Sequence, residues 1–203
     1  MITLSLAALL LLSDPLAPVG RNALSPASPT AVAEDGPPGS SFRYDYVEAA
    51  LLLGDFDGLR GGGSWHIQGP WIGLGRIDYL TEDEGSTDVD LFLLSGGAGY
   101  VHTLRKELDF IGSAEIEIGD VEVDGPGGSG DDDDIGLRFR GGARFQADEK
   151  IEFAGGVSFS TIFDEDIGLD VQALYAFDEH LTGFVGLDIR DDTVGLIGVR
   201  YYF

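Results

Sequence analysis

The chain has 203 residues, with 12 Lys and Arg against 36 Asp and Glu, so its formal net charge is -24. This acidity excludes a nucleic-acid binder, because neutralising phosphates requires basic surface. The absence of Cys excludes disulfide scaffolds, thiolate metal sites and cysteine nucleophiles. Hydrophobic residues make up 43% of the chain, which argues for a folded domain rather than disorder.

The N-terminal stretch has the features of a cleaved leader. Residues 2–12 read ITLSLAALLLL, and Ala31-Val32-Ala33 forms a small-x-small motif before Glu34. Eleven residues are too few to span about 30 Å of hydrocarbon as a helix. The pattern therefore predicts a signal peptide over residues 1–33 and a flexible lead-in over residues 34–41. The alternative, a buried N-terminal helix, is opposed by prolines at positions 15, 18, 26 and 29.

From residue 42 onward the chain alternates between apolar and polar residues, which is a strand period. The last segment shows it best: in TVGLIGVRYYF one face carries Ile197, Val199, Tyr201 and Phe203, and the other carries Arg200. Ten such segments are predicted, at about 42–54, 59–68, 71–81, 88–102, 108–118, 135–145, 151–163, 167–177, 181–190 and 193–203. No segment reaches 18 apolar residues, so no transmembrane helix is expected.

The polar faces indicate which side of the sheet points inward. Seven of the twelve basic residues fall on them, together with acids, as expected of a confined lumen in which ions must be paired. Aromatic residues recur near strand ends on the apolar faces, as in membrane interfaces. The sequence therefore predicts an all-β, transmembrane, antiparallel up-and-down barrel of about ten strands over residues 42–203, or eight if residues 59–80 pair differently. The predicted lumen charge network comprises Glu48, Arg60, Arg76, Asp78, Glu115, Glu117, Arg138, Arg140, Arg144, Glu152, Asp170, Asp188, Arg190 and Arg200.

The C-terminal VRYYF places Val199, Tyr201 and Phe203 at alternate positions and resembles the signal read by the outer-membrane barrel insertion machinery. Together with FRYDYVEAALLLGDFDG, GGAGYVHTL, GLRFRGGARFQ and GLIGVRYYF, it resembles the small outer-membrane β-barrel proteins of Gram-negative bacteria, often described as OmpA-like or porin-family barrels. The resemblance implies a packed polar interior, a bacterial outer-membrane location and no single function. The expected partners are outer-membrane lipid, lipopolysaccharide and the barrel-assembly machinery, with no nucleic acid and a monomeric state.

Catalysis is not expected. With an even number of strands, both ends of the predicted barrel and its short turns lie on one side, which is periplasmic in bacterial barrels. His66, His102 and His180 fall at or near that side, away from substrates at the outer rim. The densest charge constellation sets Glu115 and Glu117 against arginines of the next strand, and it fits either a structural network or a pore lining.

The most acidic segment is predicted to be a loop, residues 121–134, that contains Asp131, Asp132, Asp133 and Asp134. Its carboxylates suit weak binding of Ca²⁺ or Mg²⁺, or form a solvated, repulsive loop; no other cofactor is expected. We expect a structural or surface-interaction role in the envelope. The alternatives are a narrow channel for ions or small solutes, an outer-membrane enzyme, and a secreted soluble β-sandwich.

Overall fold

The computed structural model describes residues 36–54, 56–84, 87–125, 128–163, 166–190 and 192–203, so the predicted signal peptide lies outside the described residues. These residues form ten strands: β1 (Tyr46–Gly54), β2 (Asp57–Gln68), β3 (Trp71–Glu84), β4 (Thr87–Arg105), β5 (Leu108–Gly125), β6 (Gly128–Gln146), β7 (Ile151–Ser160), β8 (Asp166–Ala176), β9 (Leu181–Ile189) and β10 (Thr193–Tyr202). In the part of the chain described, no helix is long and apolar enough to cross a membrane.

The ten strands close into one antiparallel barrel in which each strand pairs with its sequence neighbours. The seam joins β1 to β10, from Tyr46 opposite Tyr202 to Gly54 opposite Val194. The predicted up-and-down barrel is therefore confirmed, with ten strands rather than eight.

An even number of strands brings both ends of the barrel's chain to the same rim, here named the terminal end. Its four hairpin connections are short, at residues 69–70, 106–107, 147–150 and 177–180. The other five connections lie at the opposite rim, here named the loop end. The two rims therefore differ in construction, and the longest strands extend past the loop end.

The predicted acidic loop is in fact strand. β4, β5 and β6 contain 19, 18 and 19 residues, and Val121 pairs with Asp132 while Val123 pairs with Gly130. Asp and Gly are turn signals in isolation, but hairpin pairing overrides weak local preferences. We name residues 88–92, 119–125 and 128–134 of these three strands the acidic sheet.

The first residues assigned to a strand have another role. β1 begins at Tyr46, and residues 40–44 enter the barrel at the terminal end instead of pairing. Phe42 and Tyr44 are buried there against Ile72 and Val101. We name residues 40–44 the plug.

Candidate functional site

The outer surface of the barrel is apolar while the inner surface is charged. In β6, Leu137, Phe139 and Phe145 are each about half exposed (48%, 48% and 49%), whereas Arg138 and Arg144 are 3% and 5% exposed. From residue 135 to 145 a strand rises roughly 33 Å. A tilt of about 40° reduces this to about 25 Å, the height of a membrane-facing band. The radial distribution is the reverse of that of a soluble β-protein.

Aromatic side chains collect on the outside near the terminal end. Trp71 and Tyr100 meet edge to face with ring centroids 5.2 Å apart, and Tyr175 meets Phe177 at 5.6 Å. The row, between 44% and 62% exposed, is Trp65, Trp71, Tyr100, Phe110, Phe145, Phe153, Tyr175, Phe177, Tyr201 and Phe203. Such a row suits a membrane interface, where one side of each ring meets hydrocarbon and the other meets head groups.

Inside the barrel, a continuous chain of ion pairs crosses the lumen. Arg60 donates two hydrogen bonds to Asp78, one of 2.8 Å from Nε and one of 3.0 Å from Nη2. The same Nη2 lies 3.2 Å from Asp188. Arg190 extends this chain from Asp188, at 3.4 Å, to Asp166 at 3.2 Å. Asp78 and Asp188 in this series of ion pairs are each shared by two arginines, and this attraction offsets the cost of removing the charged groups from water.

The series of ion pairs continues to the neighbouring strands through one glutamate, Glu117. Arg76 lies 3.3 Å from Asp78 and 3.3 Å from Glu117, and Arg138 lies 3.3 Å from the same Oε1 of Glu117. Ser160 also donates to Glu117. Glu117 is 1% exposed, so it is the buried node that ties β3, β5, β6 and the end of β7 together.

Three further arginines form separate, two-pronged pairs. Arg140 donates to Asp170 at 2.9 Å, Arg144 donates to Glu152 at 2.7 and 2.9 Å, and Arg200 donates to Glu48 at 2.9 and 2.7 Å. Two parallel N–H···O bonds fix the orientation of a guanidinium as well as its position. These pairs hold the lumen side chains rigidly.

Glu115 is the exception among the predicted lumen residues. The register places it opposite Arg138, as expected for neighbours on consecutive strands. Its carboxylate nevertheless accepts from Ser95 at 3.1 Å and Ser113 at 3.0 Å, and it forms no ion pair with the described residues. The arginines of β6 instead reach diagonally, as in the pairing of Arg138 with Glu117. Two ion pairs do follow direct opposition in the register, Arg60 with Asp78 and Arg200 with Glu48, whereas the arginines of β6 do not.

Glycines make room for these long side chains. A Cβ added at Gly156 would lie 3.3 Å from Nε of Arg140 and 2.8 Å from the backbone oxygen of Gly141. A Cβ at Gly168 would meet Arg190 at 3.1 Å. The high glycine content is thus partly explained by a narrow lumen filled with guanidinium groups.

The plug adds a polar cluster that sequence reasoning missed. Ser40 Oγ donates to Asp109 Oδ2 at 2.5 Å, and the Tyr44 hydroxyl donates to the same atom at 2.8 Å. The Arg144 guanidinium stacks over the rings of Phe42 and Tyr44, 4.8 Å from each centroid. Burial raises the pKa of the Tyr44 hydroxyl above its ordinary value, so it stays a donor. The alternation of residues 42–45 looked like strand, which concealed this role.

A cavity of about 140 Å³ remains in the lumen beyond the plug. Its wall includes Arg76, Arg140, Arg200, Glu115 and Asp170. An apolar cluster of inward side chains runs from Leu174, near the terminal end of β8, to Leu52, Leu80 and Val194 toward the loop end; its other members are Ala50, Phe184 and Leu196. A second cavity of about 190 Å³ lies beside the plug, with Phe42, Arg144 and Tyr202 in its wall, so the side chains leave only small spaces in the lumen.

Two of the histidines contact backbone oxygens, and the aspartate run alternates between the two faces of β6. His66 Nε2 lies 2.8 Å from the oxygen of Gly69, and His180 Nδ1 lies 3.0 Å from that of Tyr202, both at the terminal end. Asp131 and Asp133 share the outer face of β6, while Asp132 and Asp134 share the inner face. Among the described residues, no group of three or more metal-binding side chains is placed to hold an ion.

No protein-family model matches the chain, and no curated protein matches it in sequence. The solved structures that resemble it are outer-membrane β-barrel proteins. The KdgM porin has 11% identity and a TM-score of 0.46, covering 78% of this chain and 99% of its own. Ail, the attachment invasion locus protein of Yersinia pestis, has 14% identity and a TM-score of 0.46, covering 78% and 95%. Neisserial surface protein A has 16% identity and a TM-score of 0.48, covering 79% and 98%. At these identities the likeness concerns barrel architecture alone.

Proposed function

We propose that this protein is a bacterial outer-membrane barrel with a structural or surface-interaction role in the envelope and no catalytic activity. The observation that carries this proposal is the radial inversion of the barrel, with half-exposed Leu137 and Phe139 outside and buried Arg138 inside. A closed barrel leaves no unpaired strand edge in hydrocarbon, which is what membrane-spanning strands require. The aromatic row at the terminal end supports the same placement.

The ends of the barrel support an orientation. Short connections and both termini belong to the terminal end, which corresponds to the periplasmic side in bacterial barrels. The acidic sheet then projects outward, beside the head groups of lipopolysaccharide and their divalent cations. Val199, Tyr201 and Phe203 lie together on the outside at the seam and serve as the insertion signal for the assembly machinery. The seam closes within one chain, which favours a monomer.

The test is heat-dependent mobility in SDS, on protein taken from an outer-membrane fraction. A folded barrel resists SDS until it is boiled, so boiled and unboiled samples are expected to run at different apparent masses. Recovery in the soluble periplasmic fraction with no mobility shift would overturn the proposal and support a soluble β-sandwich.

A narrow channel is the second candidate, and the charged cavity favours it. Its wall is rich in arginine, including Arg76, Arg140 and Arg200. The plug occupies part of the lumen at the terminal end, so its removal is expected to widen any path for ions. Single-channel recording of the refolded wild type and of a variant lacking residues 36–44 tests this. Discrete steps in the shortened variant that change on Arg140→Glu support a channel, and their absence from both proteins excludes it.

A further inference from the structure

One strand of the acidic sheet continues past its neighbour. β7 pairs with β6 only from Ser160 opposite Arg138 to Glu152 opposite Gln146. Thr161 donates to the Leu137 oxygen at 3.0 Å, and the Phe163 N–H donates to Asp134 Oδ2 at 2.6 Å. On this side of β6, residues 128–133 pair with no described residue. We name this stretch the free edge.

The backbone groups of residues 129, 131 and 133 point away from β5. Leu137 directs both its N–H and its C=O toward Thr161, at 2.9 and 3.0 Å. Alternate residues of an antiparallel strand direct these groups to the same side, so Ser129, Asp131 and Asp133 point the same way as Leu137. The intervening N–H, that of Ile135, is capped by Asp134 Oδ1 at 2.8 Å. The N–H groups of residues 129, 131 and 133 have no such cap among the described residues.

The negative charge of the adjacent surface favours a cationic partner for the free edge. Asp133 stands opposite Asp120, Asp131 stands opposite Glu122, and Glu122 in turn stands opposite Asp90. Like charges directly opposed across strands are destabilising, and they are relieved when a cation enters between them. A second copy of the same edge would bring more aspartates to this surface, so the chain's own edge is a poor partner.

The chain's own exposed cations cannot serve either. Lys106 and Lys150, the two lysines of the sequence, lie in terminal-end connections. Arg43 and Arg105 also lie at that end, and the seven lumen arginines are held in ion pairs. Arg21 belongs to the predicted signal peptide, so the cationic partner is expected to come from another molecule.

We propose that the free edge binds an extended, Lys- or Arg-rich segment of another protein as an added β-strand. Backbone hydrogen bonds to residues 129, 131 and 133 provide the pairing, as in other strand additions to exposed edges. Alternate side chains of the added strand reach Asp131 and Asp133 on the outer face, while an intervening one reaches Asp132 on the inner face. This inference rests on the proposed function, because it requires the acidic sheet to face the exterior.

The test separates strand pairing from charge attraction. The full mature chain, refolded in detergent micelles, is titrated with a fluorescent eight-residue peptide of alternating Lys and Thr. A matched peptide carries N-methyl groups on alternate residues, which keep its charge but remove donors and block pairing. The proposal expects the methylated peptide to bind at least about tenfold more weakly, since two or more hydrogen bonds are lost. Equal binding of the two peptides would overturn it and leave only non-specific attraction.

Two protein variants locate the site. The double variant Asp131→Asn, Asp133→Asn is expected to weaken peptide binding and reduce its salt dependence. The control, Glu179→Gln with Glu149→Gln, removes two acids from terminal-end connections and is expected to leave binding unchanged. Equal weakening in both variants would overturn the assignment to the free edge. Heat-dependent mobility is measured on every sample, so a barrel that shifts but binds no peptide refutes this inference while the proposed function stands.

Discussion

The lumen and the acidic sheet are both rich in carboxylates, but among the described residues of the two regions only lumen carboxylates are paired with arginines. In the lumen, Asp78 and Glu117 each contact two arginines within 3.3 Å. In the acidic sheet, Asp120 and Asp133 face each other on adjacent strands. Water screens a like-charged pair on the exterior, whereas a confined ion without a partner loses its hydration. Confinement therefore requires each lumen carboxylate to find partners, which are arginines for Asp78 and Glu117 and serine hydroxyls for Glu115.

Removing one acid from each region gives the sharpest contrast. Glu117→Ala leaves Arg76 and Arg138 without their shared partner in a buried site, so we expect a loss of about 3–5 kcal/mol in unfolding free energy. Glu122→Ala on the same strand removes one member of a like-charged ladder, so we expect no loss or a slight gain. Urea unfolding in lipid vesicles, followed by tryptophan fluorescence, measures both. Equal losses of unfolding free energy in the two variants would show that acids in the lumen and in the acidic sheet do not differ in this way.

A cation placed on the outer face of β6 tests where the apolar belt ends. Phe139→Arg puts a charge in the middle of the belt, and we expect a cost of about 2–4 kcal/mol. Asp133→Arg lies six residues away on the same face, opposite Asp120, and is expected to be neutral or stabilising. The same urea titration compares them. If Phe139→Arg costs nothing, its position does not face hydrocarbon.

Two tyrosines donate to aspartates in the two environments. Tyr44→Phe removes a donor from wholly buried Asp109, and we expect a cost of about 1–3 kcal/mol. Tyr79 donates to Asp90 at 3.0 Å on the exposed surface, so Tyr79→Phe is expected to change stability by less than about 0.5 kcal/mol. Thermal unfolding in detergent ranks the two variants. A larger effect at Tyr79 would contradict the contrast.

The smallest effect is expected at an exposed turn. The N–H groups of His180 and Leu181 donate to Asp178 at 2.8 and 2.9 Å and hold the pKa of that carboxyl below its usual range. A depressed folded pKa contributes stability that is complete above the unfolded value of about 3.9 and is lost as the pH falls through the folded value. Asp178→Ala is therefore expected to be less stable than wild type at pH 7, with a smaller gap at pH 3. Glu179→Ala is the control, and a gap that grows on acidification would contradict the assignment.

The barrel fold could be predicted from the sequence because apolar and polar residues alternate along each strand, which has one apolar face and one polar face. The ten strands and the inward arginines such as Arg138 could be read directly from that alternation. Strand ends could not, because Asp131–Asp134 are turn formers whose conformation here is imposed by pairing with β5. The plug was hidden for a related reason: Phe42 and Tyr44 alternate like a strand, and only packing against Ile72 and Val101 distinguishes them. The diagonal ion pairs, such as Arg138 with Glu117, could not be predicted either, since diagonal reach depends on the lengths of side chains and on room left by glycines such as Gly156.

The seam between β1 and β10 has a kinetic consequence. Nine of the ten strand pairs join neighbours in sequence and can form as local hairpins, whereas Tyr46 finds Tyr202 only when the whole sheet has curled. Closing so large a loop is slow, because the chain loses conformational entropy before the contacts between β1 and β10 can form and compensate for that loss. An unclosed sheet would expose two edges to hydrocarbon, so closure and membrane entry are expected to occur as one cooperative, rate-limiting event.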